Sequence, residues 1–448
     1  MVSPTLVALT AAAWLGACGS SDAGPVAEGA AGSGQVATAG GSGLPLAGQA
    51  TAGGSLSQAG AAQGGASAQA GGSSLGGAGS SSAAGTGAGM NGGGTSAVAG
   101  ASGSAAGGSA AGGGACSGPV GTLAGPLATG VVLMDTDGQR VNAHGGGIIQ
   151  VGDTYYMHGE YFLSNSTAND FAGFSMYSSK DFATWKNEGM ILPVQASGEL
   201  GPDRKGERPH IIKCPSSGEF VLYAHAASLD YQTDKEVVYA TSPTVNGTYT
   251  YKGPLKNSSG QIAAHSDMSA YADETGAYVL TESGHVYTLA ADCHSWLSDK
   301  SVSAVNGSSG GAESPTVFKA GSTYYWIGSN KTGWRANNNF YSTAPAITGP
   351  WTYQGYLAPV ADTGDVLSDE RTWLSQSTWV QPVSGCKGTV YVYWGDHWDG
   401  TMDTTAPGKH NYLAGYVLQP LVFNGTKISL PSYHAAWKLD VGAGTWSE

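Results

Sequence analysis

One short pattern of hydrophobic and polar positions recurs five times in the C-terminal part of the chain. Each copy is a glycine turn followed by an aromatic-rich, β-type run, and another β-type run precedes each turn. Two such runs around a tight glycine turn predict a β-hairpin. The copies are Gly152–Gly159, Gly218–Tyr223, Gly276–Leu280, Gly321–Gly328 and Gly388–Gly395.

Shorter strand candidates lie between these copies, for example Phe174–Ser178 and Val237–Thr241. Together with a following segment such as Trp185–Asn187, they complete a predicted four-stranded unit. Repeated four-stranded sheets are typical of propellers, in which radial closure hides the sheet edges. The repeat therefore predicts an all-β, five-bladed β-propeller. A β-sandwich is the competing all-β architecture, but it does not require one hairpin pattern five times.

The composition of the chain changes sharply near Cys116. Residues 19–115 are almost entirely Gly, Ala and Ser, with no aromatic residue and no Lys or Arg. Such a segment lacks the apolar bulk that offsets the entropy of ordering its backbone, so we expect a disordered tether over residues 18–115. Residues 116–448 are rich in Tyr, Trp, Val, Gly and Thr and form the predicted propeller domain.

Residues 1–17 are apolar and are followed by Cys18, with the sequence Leu-Gly-Ala-Cys at the junction. This junction resembles the lipobox of bacterial lipoprotein signal peptides, so we predict cleavage before Cys18 and lipidation of that residue. The run carries no Lys or Arg before its apolar part, which departs from the usual signal pattern. The alternative is a short membrane or buried helix, although about 15 apolar residues fall short of a bilayer span.

The net charge of −13 excludes a basic nucleic-acid-binding surface. Without Cys18, four cysteines remain in a domain that would meet an oxidising compartment, which predicts two disulfides. The sequence leaves all three pairings open, and four buried thiols are the alternative. The cysteines are Cys116, Cys214, Cys293 and Cys386.

Polar residues stand at the start of the first strand of every predicted hairpin. They are His144, Glu207, Asp267, Glu313 and Gln376. In a propeller the innermost strands line the central channel, so these side chains are expected to converge on one pocket. Crowded carboxylates raise the pKa of at least one of them, which keeps an acid protonated near neutral pH. Glycoside hydrolysis needs such an acid, together with a group that activates water or the anomeric carbon.

Four segments together resemble glycoside hydrolase family 43, and within it the exo-β-1,3-galactanases. They are Asp135–Gly138, Asn142–Gly147, Ser375–Thr378 and Gly395–Trp398. The resemblance covers nearly all of the predicted domain. It implies a five-bladed propeller and an inverting, exo-acting hydrolase of β-1,3-galactan, as found in arabinogalactan-type polysaccharides.

The resemblance also implies roles for three carboxylates. Glu313, in a Glu-Ser-Pro where these galactanases have Glu-Ala-Pro, is the general acid. Asp267 is the residue that orients this acid and tunes its pKa. Glu207, in Glu-Arg-Pro-His where Glu-Arg-Pro-Lys is usual, grips the sugar or acts as the base. Structural alternatives are an Arg-paired Glu313, a turn or cap role for Asp267, and a local ion pair for Glu207.

The first predicted blade lacks the Asp that serves as base in most of family 43 and offers Asn142 and His144 instead. The galactanase-like subgroup shares this absence, and there a Gln that matches Gln376 positions the water. The alternative for Gln376 is an amide that only satisfies strand ends. Further substrate-binding candidates are His144, Asn142, Trp334, Trp373, Trp379 and Asp396, with Trp398 as another aromatic near the site.

No His or Cys spacing predicts a zinc site, and no glycine-rich turn predicts a nucleotide site. We expect no cofactor, with calcium in the central channel as the alternative. The expected partners are a poly- or oligosaccharide and a membrane reached through the lipid anchor, without nucleic acid, and the expected state is a monomer.

The expected location is the bacterial cell envelope, at the outer membrane or cell surface, or secretion. Two other functions stay open. One is an arabinofuranosidase or xylosidase of the same family, and the other is a carbohydrate-binding propeller without catalysis.

Overall fold

The computed structural model describes residues 116, 118–124, 133–164, 171–302, 305, 312–332, 337–360, 372–398 and 411–448. All of these belong to the compact unit Gly94–Glu448. The predicted signal peptide, Cys18, the rest of the predicted tether and Trp334 lie outside the described residues. Within the described part, helical structure is limited to the short 3-10 turns Glu282–Gly284 and Asn411–Leu413, and no helix there could cross a membrane.

After β1 (Val120–Ala124), antiparallel sheets follow one another along the chain, each with its strands in sequence order. The first contains β2 (His144–Val151), β3 (Thr154–Phe162), β4 (Phe171–Ser179) and β5 (Lys186–Pro193). The second contains β6 (Arg204–Lys213), β7 (Phe220–Ser228), β8 (Lys235–Ser242) and β9 (Thr250–Pro254). The third contains β10 (Met268–Asp273), β11 (Gly276–Thr281), β12 (His285–Leu289) and β13 (Trp296–Ser301).

The later sheets keep the same order, and only the fifth has three strands instead of four. The fourth contains β14 (Ala312–Ala320), β15 (Thr323–Asn330), β16 (Phe340–Ala344) and β17 (Thr352–Tyr356). The fifth contains β18 (Gln376–Ser384), β19 (Thr389–His397) and β20 (Gly415–Pro420). A small hairpin joins β21 (Val422–Asn424) to β22 (Lys427–Ser429), and the chain ends with β23 (Ala436–Asp440) and β24 (Thr445–Ser447).

The first two strands of each sheet form the hairpins that the repeat predicts. In the β2–β3 hairpin, Val151 pairs with Thr154, which leaves a two-residue turn that starts at Gly152. The φ of Gly152 is 64°, a left-handed conformation that a side chain would strain. Gly321, with a φ of 58°, begins the equivalent turn between β14 and β15. At these two turns the glycine of the sequence pattern is therefore required by the backbone geometry.

Hydrophobic cores lie between successive sheets. Phe174 and Met176 of the first sheet pack with Leu222 of the second, and the later sheets pack in the same way. Tyr155 of the first sheet shares a core with Trp394 of the fifth. The leading strands also contact in order: β2 with β6, β6 with β10, β10 with β14, β14 with β18 and β18 with β2. The all-β class is confirmed, and the four-stranded sheets agree with a propeller.

The two ends of the described chain meet in one sheet. β1 pairs antiparallel with β23, and β23 pairs with β24. Leu123 of β1 and Trp437 of β23 are buried in the core shared by the first and fifth sheets. Early and late segments of the chain thus cover the same interface.

Both predicted disulfides form, and the structure selects one of the three pairings. Cys116, just before β1, bonds to Cys386 in the β18–β19 turn, with a Cα–Cα distance of 6.1 Å. Cys214, in the β6–β7 turn, bonds to Cys293 between β12 and β13, with a Cα–Cα distance of 6.0 Å. The first bond ties the start of the described chain to the fifth sheet, and the second links the second sheet to the third.

Candidate active site

The leading strands of four sheets share an irregularity at the end that carries the polar residues. The antiparallel register shifts between His144 and Gly147, between Glu207 and His210, between Glu313 and Thr316, and between Ser377 and Trp379. β-Bulges of this kind re-aim side chains and end regular pairing. The residue after the polar one is left-handed in three of these strands: Gly145, Arg208 and Ser314 have φ values of 62°, 52° and 54°.

Arg208 lies at the centre of the convergent side chains and is itself buried. Its Nε lies 3.4 Å from Oδ1 of Asp267, and its Nη2 donates to Oε1 of Gln376. Its guanidinium carbon lies 5.8 Å from the centre of the Trp398 ring. Burial alone would lower the pKa of Arg208, but the surrounding carboxylates, Asp267 first, raise it, so the guanidinium stays charged. The Arg208 guanidinium therefore links residues from three different sheets.

Glu313 has the electrostatic environment of a protonated acid. Burial, followed by the negative charge of Asp267, raises the pKa of Glu313 to about 8, although Arg208 acts in the opposite direction. Asp267 is fixed beside it because its Oδ2 accepts a hydrogen bond of 2.8 Å from the backbone N–H of Ser314. The left-handed turn at Ser314 directs that N–H to Asp267, so the bulge and the charge pair are coupled.

Glu207 has the opposite character. Burial alone would raise the pKa of Glu207, but His225 and the Tyr231 hydroxyl outweigh it and hold the pKa below its ordinary value. The Tyr231 hydroxyl donates to Oε1 of Glu207, and Nδ1 of His225 lies 3.3 Å from Oε2. The environment of Glu313 thus favours the protonated form, whereas that of Glu207 favours the ionised form.

The amide of Gln376 is held in one orientation. Its Oε1 accepts from Arg208 and, at 2.7 Å, from Nε1 of Trp398, while its Nε2 donates to Oγ of Ser329 at 2.9 Å. Three consecutive residues just before it, Thr372 to Leu374, have φ values of 50°, 58° and 57°. Non-glycine residues adopt this left-handed region at an energetic cost, which is typical of functional sites.

Glu160 is a site residue that the sequence analysis missed. It lies on β3 opposite His144, and its buried Oε1 accepts a hydrogen bond of 2.8 Å from the backbone N–H of Arg208. Burial, and then the charge of Glu207, raise the pKa of Glu160 well above its usual range. Counting strand register back from the Gly152 turn would have placed it beside the bulge at His144.

His144 and Asp396 form a buried pair next to this centre. Nδ1 of His144 lies 3.0 Å from Oδ1 of Asp396, and the backbone N–H of Gly145 donates to Oδ2 at 2.9 Å. The ring of Tyr416 stacks on His144 with centroids 4.8 Å apart. The pair packs behind the first-sheet bulge and helps to hold its shape.

Three other sequence candidates occupy structural positions around the site. The Asn142 amide makes two hydrogen bonds to the backbone of Phe162, at 2.8 Å and 3.1 Å. Trp373 is buried in the core between the fourth and fifth sheets and packs against Tyr433. Trp379 packs against the buried ring of His210, with centroids 5.4 Å apart, and donates to Gln381.

One group of donors in the site could contact a metal ion. Glu207, His225 and Asp267 each present an atom within 4.8 Å of the others. Calcium takes about six to eight oxygen ligands, whereas this group offers two carboxylates and an imidazole. Asp267 is also committed to Arg208 and to Ser314. These donors fit calcium poorly, so the chemistry below uses the protein side chains alone.

No protein-family model matches the sequence, and no curated protein matches it. Among solved structures, the chain is similar to an exo-β-1,3-galactanase from Phanerochaete chrysosporium, a variant crystallised with β-1,3-galactotriose. The identity is 28%, the TM-score is 0.61, and 73% of this chain and 70% of that chain are covered.

The chain is also similar to two further solved structures. For an exo-β-1,3-galactanase from Clostridium thermocellum, the identity is 29%, the TM-score is 0.61, and the coverage is 73% of this chain and 68% of that chain. For a family 43 β-1,3-galactosidase, the identity is 25%, the TM-score is 0.58, and the coverage is 71% and 64%. These likenesses support glycoside hydrolase family 43 and a glycosidase.

We expect Arg208→Met to destabilise the domain by about 3–5 kcal/mol near pH 8, because it leaves buried carboxylates without their cation. The cost should be smaller at pH 5, where those carboxylates can take up protons. Urea unfolding of parent and variant at the two pH values measures both effects.

The control is Arg204→Met, which removes a more exposed pair with Asp234 whose side chain is 43% exposed. Its expected cost is below about 1 kcal/mol at either pH. Equal costs for the two variants, or a cost for Arg208→Met that does not depend on pH, would contradict a central electrostatic role for Arg208.

Proposed function

We propose that this protein is an inverting, exo-acting glycoside hydrolase of family 43 that cleaves β-1,3-galactosidic bonds in galactan or arabinogalactan-type polysaccharide. The observation that carries the proposal is the raised pKa of Glu313, about 8, beside Asp267 in a site shared by several sheets. The names of the similar structures, exo-β-1,3-galactanase and β-1,3-galactosidase, support the choice of substrate.

In the proposed reaction Glu313 is the general acid. It protonates the glycosidic oxygen as the bond to the anomeric carbon breaks, so the leaving sugar departs as a neutral alcohol. Asp267 is a positioning residue, because its charge keeps the proton on Glu313 and its bond to the Ser314 N–H fixes the local backbone. Arg208 limits the rise in the pKa of Glu313 and holds Asp267 in place.

Gln376 orients the attacking water. Arg208 and Trp398 donate hydrogen bonds to its carbonyl oxygen, and one of its two N–H groups donates to the Ser329 hydroxyl. The second N–H is left to donate to the water. As the water adds to the anomeric carbon, its proton needs an acceptor. Glu207 supplies an ionised carboxylate next to Arg208 that can take this proton and grip the sugar hydroxyls.

We also propose that the five successive sheets are the five blades of a propeller and that the enzyme works as a monomer without a cofactor.

The sequence further supports a lipoprotein that is anchored at the cell envelope through Cys18, with residues 18–115 as the tether to the domain. Mass spectrometry of the N-terminal peptide from bacterial membranes should find lipidated Cys18. An unmodified Cys18 behind an intact leader would contradict the anchor.

Glu313→Gln should lower the turnover of β-1,3-galactan by about 10²- to 10⁴-fold, because the amide cannot protonate the leaving oxygen. Proton NMR of the parent reaction should show galactose as the released sugar, first as the α-anomer. An initial β-anomer would exclude inversion, and internal oligosaccharides would exclude exo action.

The matched control is Glu274→Gln, an exposed carboxylate in the β10–β11 turn that pairs with Lys319. It should keep full turnover. Full turnover by Glu313→Gln would remove that residue from the mechanism. Release of arabinose or xylose instead of galactose would favour the related glycosidases, and binding of galactan without any product would favour a carbohydrate-binding protein.

The rate should fall as the pH rises through about 8, because Glu313 loses the proton that it must donate. In Asp267→Asn the negative charge that raises the pKa of Glu313 is gone, while Arg208 still lowers it. The alkaline fall in kcat/KM should therefore move to lower pH in that variant. Profiles of kcat/KM against pH for both proteins check this, and an unmoved alkaline limb would refute the tuning role of Asp267.

A further inference from the structure

A second cluster of ligand-type side chains lies at the third sheet and contains none of the residues assigned to catalysis. It contains His265, just before β10, His285, the first residue of β12, and Asp299 on β13. We call these three residues the histidine cluster. One atom of each residue lies within 4.8 Å of the others.

The sheet register explains why two members of the histidine cluster meet. Tyr287 pairs directly with Asp299 across the β12–β13 ladder. His285 lies two residues before Tyr287, and side chains two apart on a strand share a face, so His285 and Asp299 are diagonal neighbours. Nδ1 of His285 lies 3.1 Å and 3.0 Å from the two carboxylate oxygens of Asp299.

His265 completes the cluster from a different segment. Its ring stacks on His285 with centroids 4.0 Å apart and an interplanar angle of 28°. Among the described residues, it contacts the rings of His285 and Tyr287 and makes no hydrogen bond. A neutral imidazole without a hydrogen-bond partner has a nitrogen lone pair available for a metal ion. Imidazole binds metal ions in this neutral form.

The distances are close to those of a metal centre. Zinc binds imidazole nitrogen at about 2.0–2.1 Å and carboxylate oxygen at about 2.0–2.2 Å, so tetrahedral ligands lie roughly 3.3 Å apart. The donor atoms lie within 4.8 Å of one another, so rotation of the His265 and His285 side chains out of their stacked arrangement would bring them onto one ion. The side chains of His285 and Asp299 are 24% and 30% exposed, which leaves a solvent side for water ligands.

We propose that His265, His285 and Asp299 bind one divalent transition-metal ion, with zinc as the representative ion and water completing its coordination. Two imidazoles and one carboxylate favour zinc, copper or nickel over calcium and magnesium, which prefer oxygen ligands.

The bound metal would fasten the segment that leads into the active site. His265 precedes Asp267 by two positions, and the backbone N–H of Ser266 between them donates to Glu282 at 3.3 Å. The backbone N–H of Glu282 also donates to the carbonyl oxygen of Asp267 at 2.8 Å. A metal bond at His265 would therefore add a further attachment to a segment that hydrogen bonds already tie to Glu282. This role does not depend on the proposed galactan substrate.

The test is calorimetric titration of zinc chloride into tag-free, chelator-treated protein. The parent should bind one zinc ion per chain, and calcium and magnesium chlorides at the same concentrations should give no saturable binding. His265→Gln, His285→Gln and Asp299→Asn should each weaken zinc binding at least tenfold. Zinc should also raise the melting temperature of the parent and leave that of the variants unchanged.

The matched control is His294→Gln, which removes a half-exposed histidine that pairs with Glu219 elsewhere on the surface. It should bind zinc like the parent. Melting curves in chelator show whether each variant is folded. If the His285 and Asp299 variants unfold, His265→Gln still tests the site, because it removes only ring contacts. Absence of zinc binding by the parent, or parent-like binding by the folded His265 and His285 variants, would overturn the proposal.

Discussion

The buried guanidinium of Arg208 is the interaction on which the candidate site depends. A cation removed from water requires nearby negative charge and good hydrogen bonds to offset its lost solvation. Asp267 and Gln376 supply these partners, and Glu160 holds the backbone of Arg208 itself. Since these residues come from different sheets, the charge balance of the site exists only when the sheets pack together. Folding and the electrostatics of the site are therefore linked.

The same local backbone geometry serves different chemistry from sheet to sheet. At Glu207 the bulge places an arginine among carboxylates, whereas at Glu313 it directs a backbone N–H to Asp267. At His144 a glycine occupies the left-handed position, and a side chain there would collide with Glu160. Repetition of the fold thus provides equivalent positions, and the residue that occupies each one determines its role.

How much the sequence predicts depends on whether a feature is local. The hairpins follow from turn glycines such as Gly152, and the polar strand heads are identified by their distance from those turns. Glu160 was missed because it lies on the second strand of its hairpin, whereas the sequence analysis considered only the polar residues that begin the first strands. Tyr231 lies in the turn between β7 and β8, which local hydrogen bonds hold, and no sequence spacing links it to Glu207. The His265 cluster likewise combines separate segments without a motif spacing. The disulfide pairing required knowledge of which sheets are neighbours.

The bond between Cys116 and Cys386 has a mechanical consequence. β1 has five residues and is joined to its neighbour β23 by hydrogen bonds, which could be pulled apart in sequence. Any tension that arrives from the N-terminal side meets the covalent bond at Cys116 first, and this bond passes the load to the turn between β18 and β19. The domain can thus withstand shear or pulling at its N-terminal side without peeling open where its two ends meet.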